Sequence, residues 1–228
     1  MSHARYLCLV IALSAFLAVP NSATAQDGSL EFPAASPPAS VRDQIGVTTV
    51  EIEYGRPGVK GRTIFGDLVP YGEVWRTGAN AATQITLDTD VTFGGQALKA
   101  GTYALFTIPG QQLWTVILNS ATEQWGSYGH DPALDVVRVD VKSETLAEPV
   151  ETMRLGIDHI RSDSAQLTFA WERSGFSVPI EVDLVAQLLP KINQAMGAPG
   201  EKKPYLAAAM FYYEHDLDLE QALAWINT

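Results

Sequence analysis

The chain has 228 residues, with 15 Lys plus Arg against 26 Asp plus Glu and a net charge of −11. So acidic a surface repels nucleic acid and anionic lipid, which removes both classes of partner. The length suffices for one hydrophobic core with a small appendage.

The first 25 residues have the three zones of a secretory signal. Arg5 is followed by an apolar run from Tyr6 to Val19, then Pro20, and Ala23-Thr24-Ala25 offers a cleavage site before Gln26. The run is too short for a bilayer of about 30 Å, which needs roughly 20 residues of helix, so no transmembrane anchor is expected. The only cysteine, Cys8, leaves with the signal. The mature protein, periplasmic or extracellular, then has no disulfide, thiolate nucleophile or zinc–thiolate site. Residues 26–40 are rich in Pro, Ser and Ala and read as a linker or an arm hugging an edge.

From Val41 the apolar period is two. Val50, Ile52 and Tyr54 alternate with Glu51 and Glu53, and Ile85 and Leu87 repeat the pattern. Val91 and Phe93 lead into Gly94-Gly95, a hairpin signal. Gly101-Thr-Tyr103 opens a strand through Phe106, and Trp114–Leu118 and Val136–Val141 follow. Met153, Leu155 and Ile157, then Ala165, Leu167, Phe169 and Trp171, and finally Val178, Ile180 and Val182 complete about nine short strands. The expected fold is mostly β: an antiparallel sandwich, immunoglobulin-like or jelly-roll-like, over residues 41–185. The Ala-Gly-Thr-Tyr103 element is similar to the turn-and-tyrosine entry of a late immunoglobulin strand.

Residues 186–228 change to helical spacing. Leu184, Leu188 and Ile192 are four apart, with Pro190 expected to kink or restart the helix. Leu206, Met210 and Tyr213 follow Pro204, and Asp218 with Gln221 marks the start of a last helix. Two short helices joined through His215–Asp218 resemble one tetratricopeptide-type hairpin, which needs a neighbour to bury its apolar face and offers a route to a protein partner. No cap or polar tail follows Trp225-Ile226, so a longer native chain is one expectation.

One connection stands apart. About 29 residues separate Tyr54 from the strand at Gln84, long enough to be functional or disordered. Ile64, Phe65, Leu68, Val69, Val74 and Trp75 argue for order. Four cations, Arg56, Lys60, Arg62 and Arg76, lie within it. With Asn80 and Thr83 they form a candidate site for a small polar or anionic ligand, since guanidinium forks and glycine amides grip carboxylate and phosphate. Alternatively they pair with Glu51, Glu53, Asp67 and Glu73 and staple the loop.

The blocks Val59-Lys-Gly-Arg62, Ile64-Phe-Gly-Asp-Leu-Val-Pro-Tyr-Gly72, Val74-Trp-Arg-Thr-Gly-Ala-Asn80, Gly101-Thr-Tyr-Ala-Leu-Phe106 and Trp114-Thr-Val-Ile117 resemble the signature blocks of the bacterial domain of unknown function 2911 family. The likeness runs from about Ser36 to Asp183. It implies an exported bacterial protein with a β-rich domain, and it supplies no activity or catalytic residue.

No metal-ligand spacing, phosphate loop or dinucleotide fingerprint occurs, and no cofactor or metal is expected. Asp88 and Asp90 lack the partners of a calcium cage. Trp75, Trp114, Trp125 and Trp171 are candidates for a sugar-stacking face, or for the core. The expected function is an exported, non-catalytic binding or scaffolding module. The alternative is an extracytoplasmic hydrolase of glycans or esters using Asp67 or Glu73 with His130, whose Trp125–Pro132 loop lines a site or forms a surface turn.

Overall fold

The computed structural model describes residues 32–200 and 202–228. The expected signal segment and the first part of the Pro/Ser-rich arm lie outside the described residues. From Ala34 to Thr228 the chain forms one unit, a sandwich of two antiparallel sheets followed by three helices.

The first sheet has six strands in the order β1 (Pro38–Ile45), β2 (Thr48–Gly55), β3 (Thr83–Leu87), β6 (Gly101–Ile108), β7 (Leu113–Asn119) and β8 (Asp135–Lys142). The second has four, in the order β5 (Gln96–Leu98), β4 (Val91–Phe93), β10 (Ser164–Glu181) and β9 (Glu144–Asp158). Period-two patterning decides which face goes in. Val50, Ile52 and Tyr54 of β2 point into the sandwich with Ile85, Leu105, Trp114 and Val116, and meet Phe93, Leu155, Phe169 and Val178 of the other sheet in one cluster. The Tyr103 hydroxyl donates to the Lys99 carbonyl at 2.8 Å, tying the start of β6 to its own turn as in a tyrosine corner.

Two strands differ from expectation. β1 begins at Pro38, inside the arm, and pairs with β2 along its whole length. It is an edge strand, where proline costs no ladder bond on the solvent side. The runs at Ala165–Trp171 and Val178–Val182 are not separate strands: β10 is continuous over 18 residues. Its inward residues are odd-numbered up to Trp171 and even-numbered from Phe176. The parity changes at Glu172, where the φ is +54° and the pairing with β9 slips on both sides. A bulge there inserts one residue and keeps both halves facing the core.

The helices are α1 (Leu184–Gly197), α2 (Tyr205–Glu214) and α3 (Leu219–Ile226). Asp183 caps α1 by accepting from the Ala186 amide at 2.9 Å, and Leu184 enters the sandwich core. Pro190 does not restart the helix. It sits on the exposed side of α1, where water can satisfy the carbonyl it leaves unbonded. The Gln187 amide donates to Thr89 Oγ1 at 3.1 Å, pinning α1 to the sheet turns. Asp218 caps α3 as expected, and α2 and α3 close on Ala209, Tyr212 and Ala222. No helix among the described residues is long and apolar enough to cross a membrane.

The 56–82 connection is part of the core. Ile64, Phe65, Val69 and Trp75 are all buried in the sandwich. Phe65 stands edge-on to Trp114 at 4.9 Å and to Trp171 at 5.9 Å, so it touches both sheets, and Trp75 stacks on Trp171 at 5.8 Å. Phe65→Ala is therefore expected to cost about 3–5 kcal/mol, the range for a buried aromatic, in urea unfolding followed by tryptophan fluorescence. A loss below about 1 kcal/mol, as for a surface residue, would mean that the loop is not part of the core.

Candidate functional site

The connection returns to the sheet by a close approach. Gly55 accepts from the Ala79 amide at 3.2 Å, and a Cβ on Gly55 would lie 2.2 Å from the Ala79 carbonyl oxygen, so only glycine fits. Beyond the end of β3, Trp75 pairs with Thr107 of β6 through bonds of 2.8 and 2.9 Å. Trp75 points into the core, so Val74 and Arg76 face outward, and Val74 packs with Ala82, Ala104, Phe106 and Ile117 on the outer side of the six-stranded sheet. The chain then turns at Thr77, whose φ is +51°, a costly conformation for a β-branched residue. Three bonds hold it: Thr77 Oγ1 to Thr107 Oγ1 at 3.1 Å, Thr83 Oγ1 to the Thr77 carbonyl at 2.8 Å, and Trp75 Nε1 to the Gly78 carbonyl at 3.2 Å.

The four cations do not converge. Arg56 Nε donates to the Met153 carbonyl at 3.3 Å, Lys60 Nζ to the Ala35 carbonyl at 3.0 Å, and Arg62 to the carbonyls of Val59 and Gly58 at 3.0 and 2.6 Å. These three fasten the loop to β9, to the N-terminal arm and to itself. Among the described residues none of the four forms an ion pair with Glu51, Glu53, Asp67 or Glu73, and Glu51 pairs with Arg42 instead. The loop is stapled, but by backbone carbonyls.

Arg76 differs. Its Nε is buried without a hydrogen-bond partner among the described residues, and no carboxylate there comes within ion-pair distance. Burial pushes the guanidinium below its ordinary range, while the neighbouring Tyr128 phenol works in the opposite direction. Arginine still keeps its charge under such conditions, so a half-buried cation with an unmatched Nε stands on this face.

The segment from Ser120 to Leu134 covers the same face. Ala82 donates to the Gln124 carbonyl at 2.9 Å and Gly126 to the Asn80 carbonyl at 3.2 Å, so residues 124–126 run beside 80–82. Gly126 has a φ of +74°, and the Tyr128 ring lies over it where a Cβ would be. Trp125 is 71% exposed and Tyr128 93% exposed. Trp125 walls a groove of about 740 Å³ that also takes in Ser40, Glu53, Asn80 and Gln84. Asn80 thus reaches a groove, while its Nδ2 donates to the Ser36 carbonyl at 3.3 Å. Gln124 Oε1, like Arg76 Nε, is buried and has no hydrogen-bond partner among the described residues. Of the four tryptophans considered for stacking, Trp75, Trp114 and Trp171 are core and Trp125 alone is exposed. Its neighbours in sequence, glycine and small polar residues, carry the only signal that separates it from the others.

His130 lies behind this segment with its ring 5.1 Å from Phe106 and its Nε2 2.9 Å from Asp135 Oδ1. The side chains of His130 and Asp135 are 6% and 4% exposed. Asp135 also accepts from Asn119 Nδ2 at 2.7 Å and Arg138 Nη1 at 2.6 Å, so its carboxylate is fully engaged as a clamp on the loop. Asp67 and Glu73 are exposed, and no hydrogen bond joins either to His130 among the described residues. The carboxylates of Asp88 and Asp90 cap turns: Asp88 accepts from the Thr49 amide, Asp90 from Lys99 Nζ and the Ala100 amide. No group of three or more His, Cys, Asp or Glu that could hold a metal ion occurs among the described residues.

Asp135→Ala would leave the His130 donor unmatched and Asn119 Nδ2 with only its bond to the Asp131 carbonyl, at roughly 1–3 kcal/mol for each lost partner. The expected outcome is a lower urea midpoint together with faster proteolysis within 120–134, read by mass spectrometry.

No curated protein and no solved structure matches the chain. A family model described as "Protein of unknown function (DUF2911)" matches residues 36–180, from the end of the arm to the last residues of β10. That span takes in both sheets, the 56–82 connection and Arg76, and the chain belongs to the DUF2911 family.

Proposed function

We propose that this protein is an exported, non-catalytic binding module whose outward sheet face takes a small polar or anionic ligand through Arg76. One observation carries the reading: a half-buried guanidinium with no carboxylate partner among the described residues, next to the left-handed turn at Thr77. A buried charge without a partner is costly, and a residue serving the fold alone would be given one. Arg76 is the member of the cation set whose side chain is spared from stapling. The export part of the reading rests on the first 25 residues.

A scaffolding role for the tail is supported by a second observation. Leu206, Met210 and Tyr213 on α2, and Leu219, Leu223 and Ile226 on α3, are exposed at helical spacing. We read this hairpin as tetratricopeptide-like, with apolar surface of the kind that docks a protein. Leu206→Glu with Leu223→Glu is expected to abolish complexes formed through the tail while leaving the urea midpoint of the sandwich unchanged, checked by size-exclusion chromatography.

The anion reading is tested by thermal shift with acetate, citrate, sulfate and phosphate. Ligand at about 100 times Kd stabilises by about 2.7 kcal/mol. At about 2–4 °C per kcal/mol for a domain of this size, the melting temperature rises by several degrees. Arg76→Gln is expected to lose that rise and Arg62→Gln to keep it. A shift that survives Arg76→Gln would move the site elsewhere.

A further inference from the structure

We propose that the groove beside Trp125 binds a small organic cation, a quaternary ammonium group carried on an uncharged body. The site stands apart from Arg76, which does not line it. Among the residues that line the groove, Glu53 is the one with a charge, and its carboxylate enters no ion pair among the described residues. The neutral polar groups lean the same way. Asn80 Nδ2 and Gln84 Nε2 donate to the carbonyls of Ser36 and Thr122, at 3.3 and 3.2 Å, so what the two amides still offer a ligand is their acceptor oxygens. A groove that keeps acceptors and a carboxylate, in a chain of net charge −11, repels anions and favours cations.

The carboxylate and the indole reach one ligand. Glu53 stands opposite Gln84 in the β2–β3 ladder, and Trp125 stands opposite Ala81. Ala81 and Gln84 are three residues apart, at most about 10 Å of chain, and all four residues line the same groove. The Trp125 ring is 71% exposed and free to attract a cation at up to about 6 Å, while Glu53 supplies the counter-charge. The remaining walls select the kind of cation. Ala34, Pro38, Ala39, Ala79 and Ala81 are small, apolar and without a hydrogen-bonding side chain. A metal ion or a primary ammonium would give up water there and regain too few oxygens. The alkyl shell of a quaternary nitrogen packs on such walls and needs no hydrogen bond. The groove volume of about 740 Å³ lies in the range for small ligands and leaves room for an uncharged body beyond the head group.

The test is calorimetric titration of the full chain with three probes: choline, the uncharged alcohol in which carbon replaces the choline nitrogen, and ethanolamine, which carries a primary ammonium. Choline is expected to bind at least about tenfold more tightly than the other two, since a cation held by a ring and a counter-charge gains over a neutral body of the same shape. Trp125→Ala and Glu53→Gln, both at exposed positions, are each expected to weaken choline about threefold or more, and Glu53→Gln to leave the uncharged alcohol unaffected. Arg76→Gln is expected to leave choline binding as it is. The proposal is overturned if choline does not bind, if either other probe binds as tightly, or if Trp125→Ala makes no difference to choline. Loss of choline binding in Arg76→Gln would overturn it too, by placing the cation outside the groove. The anion reading keeps its own readout in the Arg76-dependent thermal shift, so either site can fail while the other stands.

Discussion

The structure depends on a loop that supplies its own core. Phe65 is inserted between the two sheets, touching Trp114 on one side and Phe169 and Trp171 on the other. Trp75 lies flat on Trp171 beside it. A sandwich whose inner faces are joined by side chains from a connection has no independent existence without that connection. The loop is for this reason as ordered as a strand, although it has almost no regular hydrogen-bonding pattern of its own. Backbone satisfaction comes instead from Arg56 and Arg62, whose guanidinium groups cap carbonyls, and from the Gly55–Ala79 contact.

That construction explains the unequal fates of the cations. Long basic side chains near unpaired carbonyls settle on them, since each such bond relieves an otherwise orphaned acceptor. Arg76 lies where the loop has already rejoined the sheet and its neighbours' carbonyls are taken: the Arg76 and Trp75 carbonyls accept from Thr83 and Thr107. Val74, on the same outward side, packs over Ala82, Ala104 and Phe106, while burial strips water from the guanidinium and Nε finds no partner among the described residues. The 120–134 segment closes the other side, held from behind by the Asp135 clamp.

Much of the sandwich is legible in the residues because a half-buried strand must alternate, and Val50–Tyr54, Ile85–Leu87 and Ala165–Trp171 do so plainly. β1 escaped because its inward positions include Asp43 and its start is Pro38, features an edge tolerates and a pattern search reads as linker. The continuity of β10 escaped because a bulge at Glu172 reverses the parity, and parity is the quantity the eye follows. The candidate site was half legible. The cation cluster drew attention to the 56–82 connection, and its aromatic residues argued for order. Which cations are engaged depends on accepting carbonyls in β9 and in the arm, at separations of 97 residues for Arg56 to Met153 and 25 for Lys60 to Ala35. No local pattern encodes those distances. Trp125 is set apart from Trp114 in sequence only by its glycine and small polar neighbours.

The left-handed turn at Thr77 has a consequence for kinetics. Its three hydrogen bonds and the buried indole beside it form with the rest of the domain, so the adjacent guanidinium is already oriented when solvent alone occupies the face. For a ligand bound as we propose, association would need no slow rearrangement, and the lifetime of the complex would be set by how fast contacts break.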